Sequence, residues 1–241
     1  MDKKLVIIPT YNEKENIEAI IRKVFSLSLP FDILIIDDGS PDGTAGIVKT
    51  LQGEFPKQLH LLEREGKLGL GTAYLTGFKW ALEHGYDYIF EMDADFSHNP
   101  DDLLRLYAAC TEEGADLAIG SRYCHGVSVV DWPIGRIVMS YYASKYVRAV
   151  LGMKIYDTTA GFKCYTRKVL ETIDLDAVKM HGYGFQVEMK YTAWRLGFKL
   201  REVPIIFINR QKGSSKMSSG IFGEAFWGVI GLKFRRIRKK A

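Results

Sequence analysis

The first 120 residues alternate between short apolar runs and segments with helical spacing of apolar positions. The apolar runs cover residues 4–9, 32–37, 59–62, 88–92 and 116–121. Short, nearly continuous apolar runs are typical of parallel strands that are covered on both faces. Because helical segments separate these strands, the pattern predicts an α/β fold. We expect a mostly parallel central sheet with right-handed crossovers and helices on both faces.

After residue 121 the alternation becomes less regular. Residues 134–151 predict a helix that is apolar or aromatic on nearly all sides. This composition favours a buried helix, with a position on a membrane surface as the alternative. A further helix is predicted after Tyr183, and residues 203–208 predict a late strand. Pro204 places that strand at the edge of the sheet, because proline has no amide hydrogen to donate to a neighbour.

The C-terminal segment differs in charge from the rest of the chain. Residues 233–241 contain six lysines and arginines and no acid, whereas the formal net charge of the whole chain is +4, so the preceding residues sum to −2. A basic end after aromatic and apolar residues is typical of a helix on an anionic membrane surface, and it does not resemble a nucleic-acid-binding face. The alternative is a core-packing helix with a solvated end. We expect one domain over residues 1–216, followed by a membrane-contacting amphipathic helix over residues 217–241.

Composition narrows the class of protein. The chain has 241 residues, of which 47% are hydrophobic and 26% are charged, as in ordinary soluble globular proteins. Its three cysteines lack Cys-x-x-Cys spacing, which argues against a disulfide framework or a zinc site and for a reducing compartment. The first residues lead directly into a strand, so we expect no secretory signal, and no apolar run approaches the length of a membrane span.

Two carboxylates stand at the end of the fourth predicted strand. Asp93 and Asp95 follow the apolar residues of that strand, and Pro100 comes shortly after them. In an open α/β sheet, ligands bind outside the carboxyl ends of the strands. Carboxylates this close repel each other unless a positive charge lies between them, and a divalent cation that bridges to phosphate oxygens would supply that charge. The alternative is two loop aspartates that cap the helix beginning near Pro100.

Other strand ends bring further polar residues to the same edge of the predicted sheet. Tyr11 and Glu13 follow the first strand, Asp38 the second and Arg122 the fifth. An aromatic ring, several carboxylates and an arginine suit a nucleoside diphosphate with a divalent metal. The Gly66–Gly71 run matches neither common phosphate-binding loop, so we interpret it as a turn. The five histidines lack ligand spacing, and no Ser/His/Asp set is evident.

Six motifs occur in a fixed order at residues 9–13, 37–44, 69–73, 92–95, 120–123 and 183–189. Together they resemble the family-2 GT-A glycosyltransferases and, within them, the dolichyl-phosphate (polyprenyl-phosphate) mannose synthases. The resemblance extends to about residue 216. An Asp-x-Asp motif alone is common, whereas the ordered set is specific.

The resemblance implies an inverting transfer of mannose from GDP-mannose to a polyprenyl (dolichyl) phosphate, with Mg²⁺ or Mn²⁺ as cofactor. Asp93 and Asp95 would bind the metal and, with Arg122, form the catalytic set. By motif position, the donor site would comprise Pro9, Tyr11, Glu13, Ile36, Asp38, Asp93, Ala94, Asp95, Arg122, Arg210 and Lys216. Arg122 and Arg136 are the candidates for the acceptor phosphate, because arginine forks match phosphate oxygens. A helix surface charge is the alternative for Arg136.

Two departures from the family pattern bear on function. Some members carry a glutamine as a further metal-side ligand where this chain has Ser97, which leaves the choice of metal open. Some members continue into transmembrane helices, so we expect this protein to reach the cytoplasmic face of the membrane through surface helices or a separate transmembrane subunit. The alternatives are transfer of another sugar, such as glucose from UDP-glucose, and a non-catalytic nucleotide-sugar-binding subunit. The intact aspartate pair argues against the latter.

Overall fold

The computed structural model describes residues 2–180, 182–210, 212, 221–237 and 239–240. The strands are β1 (Lys4–Thr10), β2 (Asp32–Asp37), β3 (Leu59–Glu63), β4 (Tyr88–Glu91), β5 (Leu117–Ser121), β6 (Val129–Val130), β7 (Lys163–Thr166), β8 (Leu200–Pro204) and β9 (Phe207–Ile208). The helices are α1 (Ile17–Phe25), α2 (Thr44–Glu54), α3 (Leu70–Glu83), α4 (Asp102–Thr111), α5 (Ile134–Leu151), α6 (Arg167–Thr172), α7 (Gly182–Arg195) and α8 (Ile221–Phe234), with a 3-10 helix at Leu175–Ala177. Strand and helix alternate through β5, as the sequence predicts.

The central sheet has seven strands in the order β3-β2-β1-β4-β7-β5-β8. All neighbouring strands are parallel except β7, which runs antiparallel to both β4 and β5. The predicted α/β class and mostly parallel sheet are therefore confirmed, and Pro204 lies in the edge strand β8. Strand order reverses between β1 and β4. A crevice at such a reversal is where open α/β sheets bind ligands.

Helices cover both faces of the sheet and create two apolar cores. In β1, Leu5 and Ile7 face the core formed with α3 and α7, whereas Val6 and Ile8 face the core formed with α1, α2 and α4. All four side chains are fully buried. This burial on both faces is the physical reason for the continuous apolar runs in the sequence. Helix α3 packs so closely on β1 that a Cβ at Gly77 would lie 2.8 Å from the Ile7 side chain.

The predicted late strand is in fact two strands in different sheets. β8 pairs with β5 in the central sheet, whereas β9 pairs in parallel with β6 in a separate two-stranded sheet. The chain leaves the central sheet after Pro204, and the Phe207 amide then donates to the Ser128 carbonyl at 3.0 Å. This small sheet places β9 and the start of α5 beside the carboxyl ends of the central strands.

Helix α5 is only partly buried, which differs from the favoured prediction. Its buried residues are Ser144, Val147 and Leu151, all in its C-terminal half. Its N-terminal half exposes Ile134, Val138, Met139 and Tyr142, with Ile134 80% exposed. Only the C-terminal half is covered because that half packs against α8. The alternative prediction, a surface helix, describes the other half better.

Helix α8 packs on the domain through α5 and α7. Phe226 stacks on Tyr146 with ring centroids 4.6 Å apart, and Arg235 forms an ion pair with the fully buried Glu188. Further along, the Lys240 amide donates to the Thr172 carbonyl at 2.9 Å. Arg235 and the backbone of Lys240 therefore attach the basic end to the domain, which differs from the solvated end of the alternative prediction. The predicted membrane contact of this segment stays a prediction. Within the described residues, no helix has both the length and the apolar character that crossing a membrane requires.

Candidate active site

A cavity of about 280 Å³ lies where the carboxyl ends of β1, β2 and β4 meet. Eight residues of the predicted donor site line it: Pro9, Tyr11, Glu13, Asp38, Asp93, Ala94, Asp95 and Arg210. The remaining lining comes from residues that sequence reasoning did not assign to the site: Thr10, Lys67, Gly69, Leu70, Ala73, Ser97, Phe207 and Asn209, together with Arg136 from the acceptor prediction. The predicted carboxylates therefore lie together at the carboxyl ends of the strands.

The turn after β4 is shaped around Asp95. Phe96 has a left-handed backbone with φ of 60°, which is uncommon for a bulky residue and is typical of functional sites that store local strain. This turn lets the Ser97 amide donate to Asp95 Oδ1 at 3.0 Å. Burial opposes ionisation of Asp95, but hydrogen bonding from Ser97 and the charge of Arg210 outweigh it and hold the pKa below its usual value. Asp95 is therefore a carboxylate at neutral pH.

Asp93 has the opposite electrostatic environment. Its side chain is 39% exposed to the cavity, yet protein surrounds it on the other sides. Burial, followed by the negative charges of Asp95, Glu91 and Glu13, raises the pKa of Asp93 to about 7. The neighbouring ring nitrogen of His98 lies 3.8 Å away but adds no charge, because burial lowers the pKa of His98 to about 4. An additional positive charge would therefore favour ionisation of Asp93.

The chemistry of this donor set fits a hard divalent cation that arrives with a phosphate ligand. Within the described residues, no group of three or more His, Cys, Asp or Glu side chains could hold a metal by itself. Mg²⁺ is commonly bound by only one or two protein carboxylates, with substrate phosphates and waters as the other ligands. Asp93 and Asp95 meet that requirement, and Mn²⁺ favours the same oxygen ligands.

Arg210 reaches the carboxylates from the segment after β9. Its Nε donates to Asp95 Oδ2 at 2.8 Å and its Nη2 donates to Glu13 Oε1 at 2.9 Å. Its side chain is 19% exposed, so the pair is largely shielded from water. A single guanidinium thus contacts two carboxylates of the cavity and balances one of their two negative charges. Lys216, the other predicted residue of this late loop, lies outside the described residues.

The opposite end of the cavity is built from β2 and the Gly66–Gly71 run. Asp38 forms a buried ion pair with Arg64 at 2.6 Å, and Lys67 lies 5.5 Å from the centroid of the Tyr11 ring. Lys67, Gly69 and Leu70 line the cavity, so this run is more than the connecting turn that its sequence suggests. Its position at the end of β3, on the edge that carries the other site residues, is the signal that could have identified it.

Ile36, which the motif assignment placed at the donor, lines neither this cavity nor the second one that adjoins it. Its side chain is fully buried and belongs to the core between the sheet and α3. A Cβ at Gly77 of that helix would be 3.0 Å from Ile36 Cδ1. Because side chains alternate along a strand, the Ile36 side chain points to the face of the sheet that α3 covers. It therefore lies in the lining of neither cavity.

A second cavity, of about 210 Å³, adjoins the first. Its lining includes Arg122, Trp132, Thr159, Gly161 and Gln186. Leu70, Asp93, Arg136 and Phe207 line both cavities. Both predicted acceptor arginines are therefore found here, and Arg136 faces the junction at which the two cavities meet.

Arg122 is held in a buried ion pair that the sequence did not reveal. Its Nε and Nη2 each donate to Asp157 at 2.7 Å, its backbone amide donates to the same carboxylate at 2.9 Å, and Nη2 also donates to Thr159 at 2.9 Å. Asp157 is fully buried. Burial opposes its ionisation, but the charge and hydrogen bonds of Arg122 hold the pKa of Asp157 below its usual value. The charge of Arg122 is therefore already balanced within the protein.

A buried polar network adjoins the second cavity, whose lining includes Ala160 and Gln186. Glu91, at the end of β4, accepts from Tyr165 at 2.9 Å and from Gln186 at 2.8 Å, and it lies 3.0 Å from the Lys163 ammonium. Lys190 donates to the Ala160 carbonyl at 2.6 Å. Burial lowers the pKa of Lys163 and that of Lys190. Charged residues within otherwise apolar strands were the available sequence signal for this network.

The chain belongs to glycosyl transferase family 2, whose family model matches residues 5–174. The fold is shared with solved structures of glucosyl-3-phosphoglycerate synthase from Mycobacterium tuberculosis. In its complex with Mn²⁺, uridine diphosphate and glucosyl-3-phosphoglycerate, that enzyme matches with a TM-score of 0.68 and 20% identity, over 96% of this chain and 78% of that one. The GT-A fold predicted from the motifs is thereby confirmed, and the protein is a glycosyltransferase.

Two relatives of known name are much more similar in sequence. The chain is 48% identical over 232 residues to the polyprenol monophosphomannose synthase of Mycolicibacterium smegmatis, covering 94% of this chain and 87% of that protein. It is 46% identical over 230 residues to the undecaprenyl-phosphate mannosyltransferase of Micrococcus luteus, covering 93% of each. The resemblance to polyprenyl-phosphate mannose synthases noted in the motifs is confirmed.

Proposed function

We propose that the protein transfers mannose from GDP-mannose to a polyprenyl phosphate with inversion, giving polyprenyl-phosphate mannose and GDP. The observation that carries this proposal is the pair of adjoining cavities, one rich in carboxylates and one lined by arginines, which share Asp93 and Arg136. The names of the two relatives support mannose as the sugar and a polyprenyl phosphate as the acceptor.

The first cavity is the donor site in this proposal. Tyr11 and Asp38 lie at the end where a guanine nucleoside would be held, and Asp93 and Asp95 at the end that would hold Mg²⁺ or Mn²⁺. A divalent metal held by Asp93 and Asp95 would supply the positive charge that stabilises a diphosphate leaving group. Arg210 donates hydrogen bonds to Asp95 and Glu13. When diphosphate oxygens enter the same space, its guanidinium can donate hydrogen bonds to them instead.

The second cavity is the acceptor site. A phosphate monoester is already anionic at neutral pH, so no side chain has to remove a proton from it. One phosphate oxygen forms the bond to the anomeric carbon as the bond from that carbon to the diphosphate breaks, and GDP takes the electron pair. Among the described residues, no carboxylate forms an ion pair with Arg136, whereas Arg122 is balanced by Asp157. Arg136 is therefore the better anchor for the incoming phosphate.

We propose a peripheral position on the cytoplasmic face of the membrane, and the exposed apolar surface beside the second cavity supports the contact with lipid. The N-terminal half of α5 exposes Ile134, Val138, Met139 and Tyr142, and α8 exposes Trp227 and Phe234 at 71% and 80%. Aromatic and aliphatic side chains next to the lysines and arginines of residues 233–240 suit an interface with anionic lipid. The acceptor's isoprenyl chain can then remain in lipid while its phosphate reaches Arg136.

The test is transfer from labelled nucleotide sugars to a polyprenyl phosphate in detergent, with and without Mn²⁺. We expect label from GDP-mannose only, lost on chelation. Asp95→Asn should abolish the metal-dependent transfer, whereas Asp176→Asn, at a side chain that is 78% exposed and distant from both cavities, should leave it unchanged. Label from UDP-glucose would overturn the choice of sugar and base. Donor binding without any turnover, even with liposomes and a transmembrane subunit, would instead support a binding role.

A further inference from the structure

Trp132 lies between the two arginines of the second cavity. The guanidinium carbon of Arg136 is 4.0 Å from the centroid of its ring, and that of Arg122 is 5.5 Å away. The ring of Phe207 meets the same indole edge-on, with centroids 5.2 Å apart and planes at 71°. Cations within about 6 Å of an aromatic face are attracted by its π electrons, and tryptophan is the strongest partner.

The two arginines that contact this indole are held very differently. Arg122 is fixed by Asp157 and Thr159, and it also lies 5.2 Å from the Tyr123 ring and 5.6 Å from the Phe207 ring. The Arg136 side chain donates a hydrogen bond from Nη1 to Asn209 Oδ1 at 3.1 Å. Trp132 therefore connects an immobilised guanidinium to a less constrained one that faces the junction of the cavities.

The ring of Trp132 is the part of the side chain that contacts the two guanidinium groups, Arg136 at 4.0 Å and Arg122 at 5.5 Å from its centroid. Trp132 Nε1 is buried and has no hydrogen-bond partner within the part of the chain that the structure describes. The ring contacts are therefore the ones that a substitution of Trp132 by an aliphatic residue removes.

We propose that Trp132 is a positioning residue for acceptor binding. Its ring contacts Arg122, which Asp157 holds rigidly, and on the same indole it contacts Arg136. This contact keeps the Arg136 guanidinium directed at the junction of the two cavities. This inference rests on the proposed function, because it assigns the phosphate of the lipid acceptor to Arg136. The consequence is that acceptor affinity depends on a side chain that itself need not touch the phosphate.

The test is a double-mutant cycle of Trp132→Leu and Arg136→Gln, read as KM and kcat and as the equilibrium Kd for a labelled short-chain isoprenyl phosphate in detergent. Trp132→Leu should raise the KM and Kd for the acceptor by about 5- to 30-fold, the range expected for a cation–π contact, and leave the KM for GDP-mannose unchanged. Trp132→Phe, which keeps an aromatic face, should restore most of the affinity. In the Arg136→Gln background, Trp132→Leu should change acceptor affinity by less than about twofold.

Trp80→Leu is the matched control, because Trp80 stacks on His84 and Tyr86 and lines neither cavity. If Trp132→Leu does not fold, Trp132→Met, whose unbranched side chain adapts to irregular gaps and has no aromatic face, serves in the same cycle. Independent, multiplicative effects of the two substitutions would overturn the inference, as would an equal loss of donor and acceptor affinity. If the wild-type protein is inactive and also fails to bind isoprenyl phosphate, both the proposed function and the inference are overturned. If the wild type is active and the effects of the two substitutions are multiplicative, the inference alone is overturned.

Discussion

Replacement of Arg122 by alanine should destabilise the protein strongly, beyond any effect on catalysis. Three hydrogen bonds from Arg122 converge on Asp157, and the two side chains are 9% and 0% exposed. The substitution removes two of these bonds and the compensating charge. It leaves a carboxylate with no access to water, which is a much larger cost than the loss of an exposed ion pair.

The expected magnitude follows from that burial. Removing one partner of a buried ion pair typically costs about 3–5 kcal/mol of the free energy of unfolding. For a chain of this length, about 1 kcal/mol corresponds to roughly 2–4 °C in the melting temperature, so Arg122→Ala should melt about 6–20 °C below wild type. Because a typical domain is stable by only about 5–15 kcal/mol, this loss is a large share of the total free energy of unfolding.

The assay is thermal unfolding of the purified protein by calorimetry, with Arg201→Ala as the control. Arg201 pairs with Glu113, but the two side chains are 58% and 50% exposed, so its removal should cost at most about 1 kcal/mol. The double variant Arg122→Met, Asp157→Leu should recover much of the lost stability, because it removes the stranded charge along with its partner. A melting temperature for Arg122→Ala within about 2 °C of wild type would refute the reasoning.

Three further predictions concern other charges and surfaces. Arg210→Gln removes the cation between Glu13 and Asp95. It should tighten Mn²⁺ binding in the absence of nucleotide by about tenfold, as measured by electron paramagnetic resonance. Weaker Mn²⁺ binding than in an Arg22→Gln control would contradict this prediction. Val138→Glu, on the exposed face of α5, should reduce co-sedimentation with anionic liposomes without lowering the melting temperature. Unchanged co-sedimentation would argue against contact between this face of α5 and the membrane. Arg235→Ala should lower the melting temperature by several degrees, because the buried Glu188 loses its ion partner. A melting temperature equal to that of wild type would show that the C-terminal end is not docked in solution.

Much of the site could be predicted from the chain itself because it depends on the ends of strands. Asp93, Asp95, Tyr11 and Asp38 each follow a short apolar run, and parallel strands bring their carboxyl ends to one edge. The surroundings of these residues could not be predicted in the same way. Lys67 and Trp132 stand in segments without a decisive local pattern, and the fully buried Ile36 shows that a motif position does not fix the direction of a side chain.

The sequence by itself determined the α/β alternation, the family and the carboxylates of the candidate donor site, because hydrophobic periodicity and short motifs are local properties of the chain. The tertiary structure decided which charges neutralise one another. Arg122 and Asp157 are 35 residues apart, and Arg210 is 115 residues from Asp95 and 197 from Glu13. It also decided that half of α5 is exposed, since α8 packs against the other half. Partners so distant along the chain leave no periodic signal, and only the folded arrangement distinguishes a guanidinium already balanced by a buried carboxylate from one that can bind a phosphate.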